Sequence, residues 1–504
     1  MRSFQGRLCG NLFPLLLLVC GLHRPGLAQS SSIVSHPREL KYSPLSYQPP
    51  KAADYRRVLK NGVVVYLVEN HEFPLVNVSV IIRTGAYLDP TGKVGLAAAV
   101  AQLMRIGGTK TYRADQFDEE VDFLAANLSS AAAGTQATAS LNCLSKDLNK
   151  GLQLFFEMLR DPAFQQDRLD LYKNQMMQSM ERRNDRSEVI LSREWGRLLR
   201  GTQHFSTAEP TKASVESFTH EDLVQFHREY YHPGSFIFAV SGDFQKAEVE
   251  AQLEAMMQGW ARPDQSDPPV PKPEFVPKPG VYLVNKPEFN QGNVLMGHLG
   301  SMRDNPDYYA LSLMNDILGG GGVFTNWIMS RVRSDEGLAY GAGSDYGFGV
   351  YYDGIFHAEF QSKSSTCAQA AAIILEEIER IRTTKVSSED LETAKAAAIE
   401  IFPRYFARPV QIAGTFANDE YTHRKPDFWD TYRDRIKAVT IDDILRVAQK
   451  YLMPEKLVYM AVGNVDDILK GNPDKPQFSF KKLSHTGEVQ VIPLPDPLTL
   501  VYPK

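Results

Sequence analysis

An α+β fold made of two tandem homologous units, each a mostly antiparallel sheet with helices on one face, is what the sequence predicts, on three observations. The 504 residues exceed the roughly 250–300 at which one hydrophobic core stops growing, so at least two domains are required. Residues 262–279 hold seven prolines in eighteen positions, a composition that makes an extended spacer and marks a boundary. The segments on either side of that spacer repeat.

Thr219-His-Glu-Asp-Leu, Tyr230-Tyr-His-Pro233 and Ser241-Gly-Asp-Phe244 recur 221 residues later as Thr440-Ile-Asp-Asp-Ile, Tyr451-Leu-Met-Pro454 and Val462-Gly-Asn-Val465. Each copy opens a helix with a Thr-x-x-Asp capping box, turns at Pro, and enters an apolar strand, Phe236–Val240 or Leu457–Ala461, that ends in Gly. At an offset of 222, Leu152, Phe156, Leu159, Leu169 and Lys173 fall on Ile374, Ile378, Ile381, Leu391 and Lys395, each set a helix, a polar break and a second helix.

Within the first unit, residues 55–261, Val63–Val68 and Val76–Arg83 have the β-branched density of paired strands. A helix is expected over Gly95–Ile106 and another over Ala114–Asn127, and the alternating run Thr135–Leu144 predicts a strand with one solvated face. The second unit, residues 280–470, repeats this order: strands Val281–Asn285 and Asn293–Leu299, helix Tyr308–Leu318, strand Gly354–Ser362. Strands first and helices after places the helices on one face of each sheet. Residues 29–54 form an approach segment and 471–504 a C-terminal tail.

Residues 1–28 read as a secretory signal peptide. Arg2 and Arg7 precede the apolar run Leu12–Leu22, and Gly26-Leu27-Ala28 supplies small residues at the cleavage positions. The run is well short of the roughly 20 residues a spanning helix needs, so no stable membrane insertion is expected. The protein is therefore expected to be exported, to the periplasm or another extracytoplasmic space. Removing the leader takes away three arginines and no acid, moving the net charge from −5 to −8. A chain without basic excess lacks the electrostatic footprint of a nucleic-acid binder. Only Cys143 and Cys367 remain, which is neither a disulfide framework nor a zinc ribbon.

The stretch from Leu59-Lys-Asn-Gly through Glu69-Asn-His-Glu-Phe-Pro-Leu-Val76, then Gly85 and Gly95-Leu-Ala97, resembles the opening of a pitrilysin-type (M16) metallopeptidase subunit. So do Leu318-Gly-Gly-Gly-Gly-Val-Phe324 and Arg333-Ser-Asp-Glu-Gly-Leu-Ala-Tyr340 in the second unit. The similarity runs over roughly residues 55–470. It implies a His-x-x-Glu-His directly after Gly-Leu-Ala, whose histidines share one helical face and hold Zn²⁺ while the Glu serves as general base. Here those positions read Ala98-Ala99-Val100-Ala101-Gln102. Ala98 and Ala101 carry no donor or base, and the neutral amide of Gln102 is a poor zinc ligand. The family's further glutamate ligand falls at Met180, with Glu181 beside it. No metal or other cofactor is thus expected in this chain. His220, His227 and His232, spaced seven and five apart, offer no substitute site.

The resemblance also implies that Arg333 and Tyr340 are the pair that hydrogen-bonds a substrate carbonyl as charge develops on it; cationic and phenolic donors suit an oxyanion. The bland alternative pairs Arg333 with Asp335 or Glu336 and packs Tyr340 on the sheet. Gly319, Gly320, Gly321 and Gly322 lack the Lys-Ser/Thr of a phosphate loop. They suit a flexible turn that a peptide backbone can approach, or a plain helix cap.

A lost metal site beside a kept Arg/Tyr pair resembles the two-chain members of the family. The expectation is a substrate-binding subunit whose partner, an M16 chain with an intact His-x-x-Glu-His, carries the zinc, the two enclosing a chamber for unfolded peptides. The alternative is a scaffold or peptide-binding homologue with no peptidase partner.

Overall fold

The computed structural model describes residues 36, 40, 46–261, 268–321, 325–484 and 486–503; the expected leader and Gly322 lie outside them. The β-branched runs near the start of each half form strands, but the two of each half do not pair with one another, because a late strand of that half lies between them; two six-stranded sheets result. The first is built from β1 (Arg56–Val58), β2 (Val64–Glu69), β3 (Leu75–Ile82), β4 (Asn127–Ala133), β5 (Gln136–Leu144) and β6 (Phe236–Gly242), in the order β1-β2-β6-β3-β5-β4. The second comprises β7 (Gly280–Asn285), β8 (Gln291–Leu299), β10 (Ala339–Tyr346), β12 (Ile355–Lys363), β13 (Val458–Gly463) and β14 (Val489–Ile492). Its order is β10-β12-β8-β13-β7-β14, and β9 (Ser301–Met302) pairs separately with β11 (Phe348–Gly349).

The repeat read from sequence is a repeat of topology. In each half the late strand joins the first parallel (β6 on β2, β13 on β7) and the second antiparallel (β6 on β3, β13 on β8). The halves differ at one edge, where β1 lies antiparallel on β2 but β14, from the C-terminal tail, lies parallel on β7.

Each sheet carries its own helices on one face. In the first half these include α1 (Leu96–Ile106), α2 (Ala114–Phe123), α3 (Leu148–Arg160) and α4 (Gln166–Glu181), whose apolar stripes close a core with β2, β3, β5 and β6. A further helix, α5 (Ser187–Arg200), leaves this layer; α6 (His220–Tyr230) and α7 (Lys246–Met256) return to it. In the second half, α8 (Tyr308–Leu318), α9 (Cys367–Thr383) and α10 (Ser388–Ile401) pack likewise. They are followed by α11 (Pro409–Tyr421), α12 (Phe428–Ala438) and α13 (Ile441–Tyr451). Both predicted capping boxes form: Thr219 Oγ1 accepts from the Asp222 amide at 3.2 Å and Thr440 Oγ1 from the Asp443 amide at 3.1 Å.

The second face of each sheet is covered from the other half. Helix α5 lays Ile190, Leu191, Trp195 and Leu199 on Tyr282, Val284, Val458, Met460 and Val462. Helix α11 returns the arrangement, setting Ala413, Phe416, Ala417 and Tyr421 on Tyr66, Val68, Ile237 and Ala239. This exchange explains why β6 and β13 are continuous apolar runs: both of their faces are buried, whereas β5 and β12 alternate. The described residues from Tyr47 onward accordingly form one compact unit.

One helix also departs from expectation. The helix predicted to reach Asn127 stops at Phe123, because Ala125 adopts φ 47° and the chain turns into β4. Asn127-Leu-Ser-Ser-Ala-Ala-Ala133 has little intrinsic strand preference; it is a strand because β5 pairs with it across the Gly134 turn. The segment after β14 is strapped to the first half: the Tyr502 hydroxyl donates to Glu194 Oε2 at 2.6 Å, and Pro495 O and Leu498 O accept from Asn184 Nδ2 and the Lys212 amide, each at 2.8 Å.

Candidate functional site

Helix α1 starts from a carboxylate that sequence reasoning missed. Asp89 accepts from the Gly95 and Ala97 amides, both at 2.7 Å, filling two of the donors a helix N-terminus leaves open. Burial nevertheless pushes its pKa up to about 6, against the lowering effect of those two bonds. Gly95, at φ 96°, takes the left-handed turn into the helix.

On α1, Ala98 and Gln102 face outward one turn apart, the placement that two helical ligands require, while Ala101 is buried in the core. The shape of a ligand pair is present without its chemistry. Met180, at the further ligand position, is also core, and Glu181 points to solvent. Zinc does not fit these residues: one neutral amide oxygen is the whole donor set. Among the described residues no group of three His, Cys, Asp or Glu side chains is placed to hold a metal. His227 is buried with its ring on Leu159 O at 2.8 Å, and burial lowers its pKa to about 4; His220 bonds Ala163 O at 3.1 Å.

In the second half, Arg333 lies in a π-helical turn, Ser330–Asp335, and Tyr340 near the start of β10, where the register with β12 shifts. Widened helical turns of this type recur at functional positions. The Arg333 guanidinium carbon sits 4.7 Å from the Tyr340 ring centroid, a cation–π stack. Tyr340 is 86% exposed, so it does not pack on the sheet. The carboxylates of the bland alternative are engaged elsewhere: Glu336 with Lys475 at 2.8 Å, and Asp335 with Arg331 at 3.8 Å.

The glycine run follows α8. A Cβ on Gly319 would stand 2.6 Å from the Ser344 amide nitrogen, so glycine is what lets the helix end approach β10. Gly320 O accepts from Asn326 Nδ2 at 3.2 Å, and Gly321 has φ +70°. Gly319 and Gly321 thus have structural reasons of their own.

A large concavity lies between the halves. It has a volume of about 1430 Å³ and is lined by Thr135 of the β4–β5 turn, Trp195 and Arg200 of α5, Tyr352, His357 of β12 and Tyr421 of α11. Small-molecule sites run to roughly 300–1,000 Å³, so this cleft has room for a stretch of chain. No local sequence pattern marks it, because it is made by the helix exchange.

A two-half α+β fold whose first helix keeps the geometry of a zinc motif but none of its ligands defines a metallopeptidase homologue of the non-zinc-binding kind. The model of the insulinase (M16) peptidase family matches residues 64–200, and that of the M16 inactive domain matches residues 217–398. The chain belongs to the M16 peptidase family. It is similar to an uncharacterized zinc protease of Rickettsia bellii, 22% identical over 345 residues, covering 67% of this chain and 80% of that protein. It is also similar to the non-peptidase homolog YmxG of Helicobacter pylori, 22% identical over 429 residues, covering 82% of this chain and 94% of the relative. The fold matches the crystal structure of a peptidase M16 inactive domain from Pseudomonas fluorescens with a TM-score of 0.70 and 24% identity, over 81% of this chain and 97% of that one.

Proposed function

We propose that this protein is an exported, substrate-binding subunit of a heteromeric zinc peptidase acting on unfolded peptides. A partner M16 chain with an intact His-x-x-Glu-His would hold the zinc, and this chain would contribute Arg333 and Tyr340. The observation that carries this reading is the stacked pair itself: an arginine over an 86% exposed tyrosine. A guanidinium and a phenol side by side can both donate to an oxygen that gains negative charge, and stacking fixes their relative position. Gly319–Gly321 would border the peptide's path. Export is supported by the leader and by fold similarity to the periplasmic protease PqqL of Escherichia coli, TM-score 0.67 over 80% of this chain. Among the described residues no helix is long and apolar enough to cross a membrane.

A scaffold role without a peptidase partner is the second reading, favoured by a 21% match to cytochrome b-c1 complex subunit 1 of Bos taurus over 38% of this chain. The deciding experiment purifies this chain alone and with a co-expressed M16 chain bearing the zinc motif, and measures bound zinc and cleavage of an unstructured peptide. The expected outcome is cleavage by the pair only, with zinc in the partner. Chelator-sensitive cleavage by the isolated chain refutes the proposal, and cleavage indifferent to Arg333→Ala favours the scaffold.

A further inference from the structure

The cleft between the halves contains a guanidinium that the chain does not neutralise. Arg200 is the last residue of α5, and its guanidinium carbon lies 5.0 Å from the ring centroid of Tyr352. Its Nε is buried without a hydrogen-bond partner, and among the described residues no carboxylate comes within ion-pair distance of it. Burial lowers its pKa, and Tyr352 is the one group acting against that.

Arg193, Arg197, Arg303 and Arg424 also bury a nitrogen without a hydrogen bond, but each has another partner within the chain. Arg193 is paired with Glu194 at 2.8 Å and Arg197 donates to the Tyr502 hydroxyl. Across the cleft Arg424 meets Asp419 at 2.8 Å, and Arg303 donates to Thr422 O. Tyr352 also meets the His204 ring edge-on, 5.0 Å away between ring centroids. His204 adds no negative charge: its Nε2 lies 3.0 Å from Pro271 O, and burial keeps its pKa below the ordinary range. The dipole at the C-terminal end of α5 favours a cation there, but it gives the buried Nε–H no acceptor.

A partly buried guanidinium with no anion beside it is costly, and a carboxylate that reaches its terminal nitrogens supplies charge-assisted bonds. We propose that Arg200, stacked on Tyr352, anchors a carboxylate of a peptide lying in the inter-half cleft, either the chain-terminal group or an Asp or Glu side chain. The inference rests on the peptide-binding reading of this chain and gives it a polarity: the anionic part of the peptide seats between the halves, on the α5 side.

The test uses the full purified chain and fluorescent unstructured peptides in four forms, with a free or an amidated C-terminus and with or without a Glu, read by anisotropy. A peptide bearing a carboxylate is expected to bind about tenfold more tightly than the amidated, Glu-free form, since hydrogen bonds to charged groups are the stronger class. Whether the preference follows the chain end or the side chain identifies the source. Arg200→Met is expected to erase the preference, and Arg200→Lys to restore part of it. Equal affinities for all four forms in the unaltered chain, a comparison that needs no variant, overturn the anchor and leave peptide binding standing, as does a preference that survives Arg200→Met. Failure of every form to bind overturns both readings.

Discussion

The two halves share a sheet order and a helix layer, yet they treat their surfaces oppositely. In the first half the face of α1 that packs on the sheet is complete, with Leu96, Val100, Leu103 and Met104 buried and Asp89 capping the start, while its outward positions are Ala98 and Gln102. In the second half the outward positions near β10 keep an arginine stacked on a tyrosine. The difference teaches that a metal site and its supporting fold are separable. Ligands on the solvent side of a helix can be lost at little cost to packing, because the stripe that stabilises the helix lies on the opposite side.

Four measurements break or sharpen this comparison. The largest effect is expected where the halves cover one another: Phe416→Ala uncovers the first sheet and Trp195→Ala the second, each costing about 3–5 kcal/mol in denaturant unfolding. Similar losses sustain the symmetry, whereas a loss confined to one variant shows that one half depends on the exchange and the other does not. Arg333→Ala is expected to lower turnover of the complex with a zinc-bearing partner by about 10²–10³-fold, with the unfolding midpoint unmoved. A midpoint that falls as far as the rate assigns the pair to stability instead.

The third effect is a pH dependence. Burial pushes both Asp89 and Asp316 up to about 6, one carboxylate in each half. With the folded pKa above the unfolded value, the native state holds a proton that the unfolded chain has released, so this contribution to stability declines as pH rises from about 4 to about 6. Asp89→Asn should flatten that decline by on the order of 2 kcal/mol between pH 4 and 7. An unchanged profile means the two amide bonds hold Asp89 ionised throughout. The smallest effect belongs to the outward face of α1: Ala98→His with Gln102→His should shift stability by no more than about 0.5 kcal/mol. A loss of several kcal/mol in that double variant would contradict the separation of ligands from fold.

What was legible in the sequence is what local pattern encodes. Alternation marked β5, β-branched density marked β2 and β3, and the capping boxes of Thr219 and Thr440 marked two helix starts to the residue. The candidate positions Ala98, Ala101, Gln102, Arg333 and Tyr340 could be located because each sits at a set distance from a glycine-led motif. The features that escaped are set by distant chain. Strand β4 exists through its pairing with β5, and Asp89 gains its role from amides that the fold brings to it. The exchanged helices α5 and α11 read as ordinary amphipathic segments, since nothing in their own periodicity says which sheet they cover. Arg200 was unremarkable in sequence for the same reason: its lack of a carboxylate is a property of the cleft.

The exchange of α5 and α11 bears on why a half without metal chemistry persists at all. A chain cut in the proline-rich segment would release two fragments, each with the partner's roof and without its own. Neither could hide β6 or β13 from water, so the fragments would have to find each other to fold. The half that has lost its metal ligands is therefore not dispensable cargo; it shelters the half that keeps the Arg/Tyr pair, and deletion of one should leave the other aggregation-prone.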